Sequence, residues 1–253
     1  MRLNRYLAQC GLGSRRTMDI WVEEGRVSVN GMVASLGINL NETDKVEVDG
    51  KPVSPKPEYT YILFNKPSGL LCSRGDTHGR PTVYDVLPQE FNGLHYVGRL
   101  DKESRGLLFF TNDGEFTEHL THPRHAVLRL YLVKVNLDLT AEDIRCLRRG
   151  VEVEPGVVFQ CASLETISGG YRLGLKEGKK REIRRLLAAV GRRVVDLKRI
   201  AFGGVELGEL PEGKFRPLST EEVEKLRRAT AMESRLPSTL PSTGKHRPAT
   251  RQL

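Results

Sequence analysis

Gly98-Arg99-Leu100-Asp101-Lys102-Glu103-Ser104-Arg105-Gly106, running on into Leu107-Leu108-Phe109-Phe110-Thr111 and Asn112-Asp113-Gly114, is the stretch on which the fold turns. Leu107–Thr111 is a short apolar run of the kind that forms a strand covered on both faces. Asn112-Asp113-Gly114 is a turn signal that closes it. Upstream, Leu94–Val97 reads as a second, short strand. The loop between them is bounded by glycines and holds Asp101. A loop pinned between two buried strands presents its side chains rigidly at a sheet edge, where they can face a ligand. Spacing alone also allows Asp101 to be a turn-forming aspartate.

Three zones lie outward from this stretch. Residues 1–53 form a compact unit. Leu3, Tyr6, Leu7 and Cys10 share one face at helical spacing. Ser14 caps a second helix through Glu24, with Met18, Trp21 and Val22 inward. Arg26-Val27-Ser28-Val29 alternates as a strand into Asn30-Gly31, a hairpin signal, and Lys45-Val46-Glu47-Val48 alternates again up to Asp49-Gly50. Pro52, Pro55 and Pro57 follow, so residues 54–58 read as a stiff linker. Residues 59–230 mix strands (61–64, 107–111, 130–137, 171–175 and 194–198) with helices opened by capping boxes at Thr140 and Ser219. The fold class expected is α+β with a mixed, mostly antiparallel sheet. Residues 231–253 repeat Pro-Ser-Thr, have almost no apolar periodicity and read as a disordered basic tail.

The 253 residues hold 40 Lys and Arg against 32 Asp and Glu, a net charge of +8. That balance suits a polyanionic partner. In residues 1–53 cations and anions cancel, yet the first sixteen residues hold Arg2, Arg5, Arg15 and Arg16 and no acid; Arg26 follows. Such segregation fits an RNA-facing surface, and equally two solvated helix faces. The strongest concentration is 176–199, with ten cations and three anions. Within it Ile183, Leu186, Leu187 and Val190 keep the spacing of one buried helix face, and Gly191 stops the helix. Lys179, Lys180, Arg181, Arg184 and Arg185 must then lie on the flanks, with few acids at i±4 to offset them. We read this run as a functional surface.

Hydrophobic residues at 38% exclude a wholly disordered chain. No apolar run approaches the ~18 residues of a transmembrane helix. The first sixteen residues lack the apolar core of a secretory signal. The expectation is a soluble, cytoplasmic monomer with no membrane partner. Cys10, Cys72, Cys146 and Cys161 are scattered and read as buried, reduced thiols. His119, His122 and His125 repeat every third position, but Pro123 interrupts any helix that would align them, so no metal is expected. Neither a G-x-x-x-x-G-K-[ST] nor a G-x-G-x-x-G motif occurs, and no cofactor is expected.

Gly98-Arg99-Leu100-Asp101, with Ser104, Gly106-Leu107-Leu108 and Thr111-Asn112-Asp113-Gly114, closely resembles the catalytic signature of RNA pseudouridine synthases, in the RsuA/RluB/RluE/RluF branch. Asn65-Lys66-Pro67-Ser68-Gly69 is similar to the family's Lys-Pro-Gly motif. Tyr131 opens a strand as the family's active-site tyrosine does. Glu177-Gly178-Lys179, with Arg181-Glu182-Ile183-Arg184-Arg185, is similar to its last motif. Residues 1–53 resemble the alpha-L RNA-binding module of ribosomal protein S-four, through Leu3-Asn4-Arg5, Gly25-Arg26-Val27 and Val29-Asn30-Gly31. The resemblance spans about residues 1–230. Ser104 stands where threonine is usual and keeps the hydroxyl. Arg129, two residues before the tyrosine, stands where some branches have lysine; an arginine there is more like the large-subunit rRNA enzymes.

The resemblance implies an isomerase that breaks the uracil N1–C1′ bond, turns the base and rejoins it through C5, with no cofactor. It implies that Asp101 is the essential carboxylate, either attacking the sugar or abstracting a sugar proton. Arg184 is the matching partner, because a nearby guanidinium favours an ionised carboxylate. Tyr131 would stack on the flipped uracil and handle a proton. Arg99, Arg105, Lys179, Lys180, Arg181 and Arg185 would contact RNA, with Arg2, Arg5, Arg15, Arg16 and Arg26 of the N-terminal module, and Lys66 would serve either turn structure or an RNA backbone contact. The implied partner is ribosomal RNA, most like that of the large subunit. The rivals are a small-subunit rRNA pseudouridine synthase and a non-catalytic rRNA-binding assembly factor. The second would have no use for Asp101, Tyr131 and Arg184 together.

Overall fold

The computed structural model describes residues 1–55 and 59–230. Residues 56–58 of the expected linker and the whole of the expected tail, 231–253, lie outside the described residues.

In the N-terminal unit α1 (Leu3–Gln9) and α2 (Arg15–Glu23) pack on β1 (Val27–Val29), β2 (Met32–Val33), β3 (Val46–Val48) and β4 (Lys51–Pro52), in the sheet order β2-β1-β3-β4. The Ser14 hydroxyl accepts from the Thr17 N–H and caps α2. Both hairpins turn on residue pairs with positive φ, Asn30-Gly31 and Asp49-Gly50, as type I′ turns require. Leu3, Leu7, Met18, Val22, Val27 and Val46 close a core. Pro52, grouped by sequence with the linker prolines, instead ends the edge strand β4, where a missing N–H breaks no central ladder.

The second unit opens with β5 (Tyr61–Lys66), β6 (His95–Val97), β7 (Arg105–Thr111) and α3 (Gly114–Thr121). There follow β8 (Arg129–Val135), α4 (Ala141–Arg149), the hairpin β9 (Val151–Glu154) and β10 (Val157–Phe159), and β11 (Ser163–Ile167) with β12 (Gly170–Leu175). It ends with α5 (Glu182–Ala189), β13 (Val194–Phe202), β14 (Val205–Glu206), β15 (Phe215–Pro217) and α6 (Thr220–Ala229). Nine strands make one sheet along the path β11-β12-β8-β13-β7-β5-β15, with β14 beside β13 and β6 beside β7. Its pairings are antiparallel apart from β7 with β13. The chain is thus α+β, and the mixed, mostly antiparallel sheet matches the sequence reading.

Both faces of β5 and β7 are covered, which is why those strands are apolar throughout rather than alternating. Leu63, Leu107 and Phe109 face α3 and α6, where Phe116, Leu120, Val223 and Leu226 pack. Ile62, Phe64, Leu108 and Phe110 face the long β5–β6 connection through Leu70, Val83, Leu87 and Leu94. A third cluster joins Tyr131 and Val133 of β8 and Leu173 of β12 to Ile183, Leu186 and Leu187 of α5. Both expected capping boxes form, at Thr140 with Asp143 and at Ser219 with Glu222. Gly106 sits where β7 pairs with β13, opposite Arg199. A Cβ there would stand 2.3 Å from the Arg199 carbonyl oxygen, and its φ is +104°.

The four cysteines are free. Cys10 and Cys161 are buried, but Cys72 and Cys146 are only half-buried, which corrects the reading of four buried thiols. Cys146 lies on α4, whose flank faces solvent.

Candidate active site

Asp101 sits in the loop from β6 to β7, and the loop is held from beneath by Lys66 at the end of β5. Lys66 is 0% exposed. Its ammonium donates to the carbonyls of Pro67 (3.0 Å), Asp101 (3.4 Å), Lys102 (3.3 Å) and Ser104 (2.8 Å). Burial pushes the Lys66 ammonium below the usual lysine range. Gly69 N–H donates to the Lys102 carbonyl (2.8 Å), and the Ser68 hydroxyl to that of Glu103 (3.2 Å). Leu100 N–H donates to the Cys72 sulfur at 3.4 Å, and the Leu100 side chain is buried in the core. The backbone on both sides of Asp101 is therefore fixed, while its side chain remains partly exposed.

Tyr131 and Arg184 reach the same place from other elements. All three line one cleft of about 640 Å³ whose rim includes Arg99, Lys180 and Arg181. Arg184 Nε lies 4.0 Å from Asp101 Oδ2, a salt bridge at the edge of contact. That Nε is buried and has no hydrogen-bond partner among the described residues. Tyr131 is only 8% exposed, so its ring forms the wall of the cleft while its body belongs to the core. The sequence places these residues 30 and 53 positions apart; β8 and α5 bring them together.

The segment entering α5 is stiffened by two buried charges. Arg129 donates to the carbonyls of Leu120, Val127, Lys176 and Glu177, and stacks on Phe202. Glu182 accepts from Lys179 N–H at 3.0 Å, and burial holds its carboxyl above the usual range. Between them Arg181 takes a left-handed backbone, φ +52°, at the N-cap of α5.

The expected RNA contacts divide. Arg2, Arg15, Arg16, Arg99 and Lys180 are exposed and form no ion pair among the described residues. Lys179 and Arg181 are exposed and paired with Glu177 and Glu103. Arg5, Arg26 and Arg185 are half-buried and paired with Glu115, with Asp49 and Glu24, and with Glu154. Two assignments are corrected. Lys66 is sealed under the loop, which fits the turn-structure role and not the RNA contact. Arg105 spends its guanidinium on Asp196, at 2.7 Å, and on Glu212, joining β7 to β13 and to the loop before β15. The compensation missing at i±4 on α5 comes from elsewhere in the chain, Glu154 and Glu103, which sequence spacing does not reveal.

Sequence reasoning also missed Arg199. Counted in the basic run, it is 2% exposed, donates to the Leu107 carbonyl at 2.7 Å and stacks on Phe202. Its position inside an apolar strand, Leu197 to Phe202, is the signal that it points inward.

Residues 60–189, which hold Asp101, Tyr131 and Arg184 in this cleft, match the RNA pseudouridylate synthase family. The chain belongs to that family. It is an RNA pseudouridine synthase, an isomerase. It is 37% identical to an uncharacterized RNA pseudouridine synthase of Aquifex aeolicus, over 92% of this chain and 96% of that one. It is 39% identical to the ribosomal large subunit pseudouridine synthase B of Pseudomonas aeruginosa over 88% of its length, and spans 61% of that longer protein. The protein of the same name in Vibrio cholerae is 41% identical, over 89% of this chain and 74% of that one. A crystal structure of a pseudouridylate synthase superposes with a TM-score of 0.67 at 29% identity, covering 89% of this chain and 99% of the other.

Among the described residues no helix of the synthase is long and apolar enough to cross a membrane.

Proposed function

We propose that this synthase converts a specific uridine of large-subunit ribosomal RNA to pseudouridine, with Asp101 as its essential carboxylate. The observation that supports this most is the convergence of Asp101, Tyr131 and Arg184 from three separate elements on one cationic cleft. The relatives named for the large-subunit rRNA reaction support the substrate.

The target uridine must leave its stack to reach Asp101, which costs a few kcal/mol. Stacking on Tyr131, worth ~1–3 kcal/mol, offsets much of it. Ionised Asp101 acts on the sugar, as nucleophile or as base, so that the N1–C1′ bond breaks. Arg184 keeps a positive charge beside that carboxylate. The uracil turns within the cleft, C5 bonds to C1′ and then gives up its proton, and the freed N1 takes one up, so atoms balance without a cofactor. Lys66 holds the loop rather than the RNA. Exposed Arg99, Lys180 and Arg181 take phosphates at the rim, and residues 1–53 act as an alpha-L RNA-binding module through Arg2, Arg15 and Arg16. We place the protein in the cytoplasm as a monomer.

The test is Asp101→Asn. Asparagine keeps the size and one acceptor but is neither base nor comparable nucleophile. Pseudouridine formation in a large-subunit rRNA fragment should fall below detection while RNA affinity stays within severalfold. A folded Asp101→Asn protein that converts uridine at near wild-type rate would overturn the assignment.

A further inference from the structure

Glu103 is an acid among cations. It lies two residues after Asp101, on the outer side of the loop, and its Oε2 stands 3.4 Å from Arg181 Nη1. Both side chains are about half exposed, so the pair is open to solvent and to any arriving ligand. Arg181 belongs to the cleft lining; Glu103 draws on it from outside. Around them Arg99, Lys102 and Lys180 are exposed and lack an ion-pair partner among the described residues. The Glu103 carboxyl is held below its usual range, first by its own backbone N–H and then by Arg181 and Arg184, so it is a full negative charge at neutral pH.

The two residues are positioned independently of each other. Glu103 is placed by the loop, whose carbonyl here accepts from Ser68. Arg181 is placed by its left-handed backbone at the start of α5, an arrangement few residues other than glycine and asparagine adopt without strain. Arg181 lines the same cleft as Arg184 and Asp101, three residues before Arg184, and its pair with Glu103 is the more exposed of the two ion pairs. A phosphate entering beside the target nucleotide meets Arg181 already engaged and Glu103 repelling it.

We infer that Glu103 is a specificity residue: its carboxylate occupies Arg181 in the free enzyme and yields it only to a phosphate that an RNA anchored elsewhere delivers to that point. A loosely bound RNA gains nothing from Arg181, because breaking the ion pair and approaching a carboxylate cancels the new contact. A correctly docked RNA brings its phosphate at high effective concentration and displaces Glu103. The inference rests on the reading of this protein as an RNA enzyme.

The probe is a fluorescein-labelled twelve-residue oligouridylate, which offers phosphates but no rRNA structure, with affinity read by anisotropy across a salt titration. Glu103→Gln should bind it about two- to fivefold more tightly than wild type at low salt, the span an exposed ion pair commands. Its slope of log affinity against log salt should steepen by up to about 0.7, the value for one phosphate on a single strand. In an Arg181→Ala background the same Glu103→Gln change should have no effect, because the competitor has lost its target. Equal affinities of Glu103→Gln and wild type would overturn the inference. So would a gain that persists without Arg181, which would make Glu103 a general repulsive charge. If wild type and variant both failed to bind at low salt, the RNA reading itself would fall, and this inference with it.

Discussion

Lys66 is a residue for which the sequence leaves two roles open, turn structure or an RNA backbone contact, and its burial favours the first. A lysine next to a proline in a family motif reads as a turn residue or as a phosphate contact, and lysines are seldom buried without a partner. Here its partners are backbone carbonyls contributed by a loop 35 to 38 residues away, and carbonyl partners leave no trace in a sequence. Asp113 shows the same limit. It reads as a turn residue, and it does cap α3, but it also accepts from Tyr61 and from Arg227, 114 residues later, in a buried ion pair. Asp101, Tyr131 and Arg184 were legible because motif order marks them. Lys66→Met tests the supporting role. It keeps the length and removes the donor, leaving loop carbonyls without a partner at about 1–3 kcal/mol of stability. Turnover should fall about 10- to 100-fold as the loop drifts. RNA affinity should stay within severalfold. Lost affinity with unchanged turnover would restore Lys66 to the RNA surface.

At the scale of elements, local chemistry was readable and long-range pairing was not. Caps at Ser14, Thr140 and Ser219 and the turn at Asn30-Gly31 are decided within four residues, and all are present. Strand order is decided by partners far apart, so nothing local announced that β7 and β13 lie side by side and parallel. Gly106 marks that junction. In the sequence it is one glycine of the catalytic motif; in the fold it is where β13 passes too close for any side chain. Gly106→Ala must both adopt a φ of +104° and push the Arg199 carbonyl away. We expect a loss of ~3 kcal/mol or more, because a backbone atom rather than a mobile side chain has to move. Urea unfolding would read it. A loss under about 1 kcal/mol would mean that the β7–β13 junction has room for a side chain.

Over the whole molecule the charge has a division of labour that net composition conceals. Many cations of residues 59–230 are engaged by acids from distant segments, as Arg105, Arg181, Arg185 and Arg192 are. Those at Arg2, Arg15 and Arg16 stand exposed on a unit with its own core. None of the three clusters that build the larger unit uses a residue from 1–53. Arg5 with Glu115 links the two units, and a pair one-third exposed contributes at most about 1 kcal/mol. Removing residues 1–53 should therefore leave a folded remainder, with a melting temperature within a few degrees of the full chain. RNA affinity should drop at least tenfold at low salt. The slope of log affinity against log salt should shrink by about 2 to 3, as three arginine–phosphate contacts are lost. Turnover at saturating RNA should persist, because Asp101, Tyr131 and Arg184 all remain. Unchanged affinity and slope in the shortened protein would show that the segregated arginines are an ordinary solvated face and that the cleft of the larger unit binds RNA unaided.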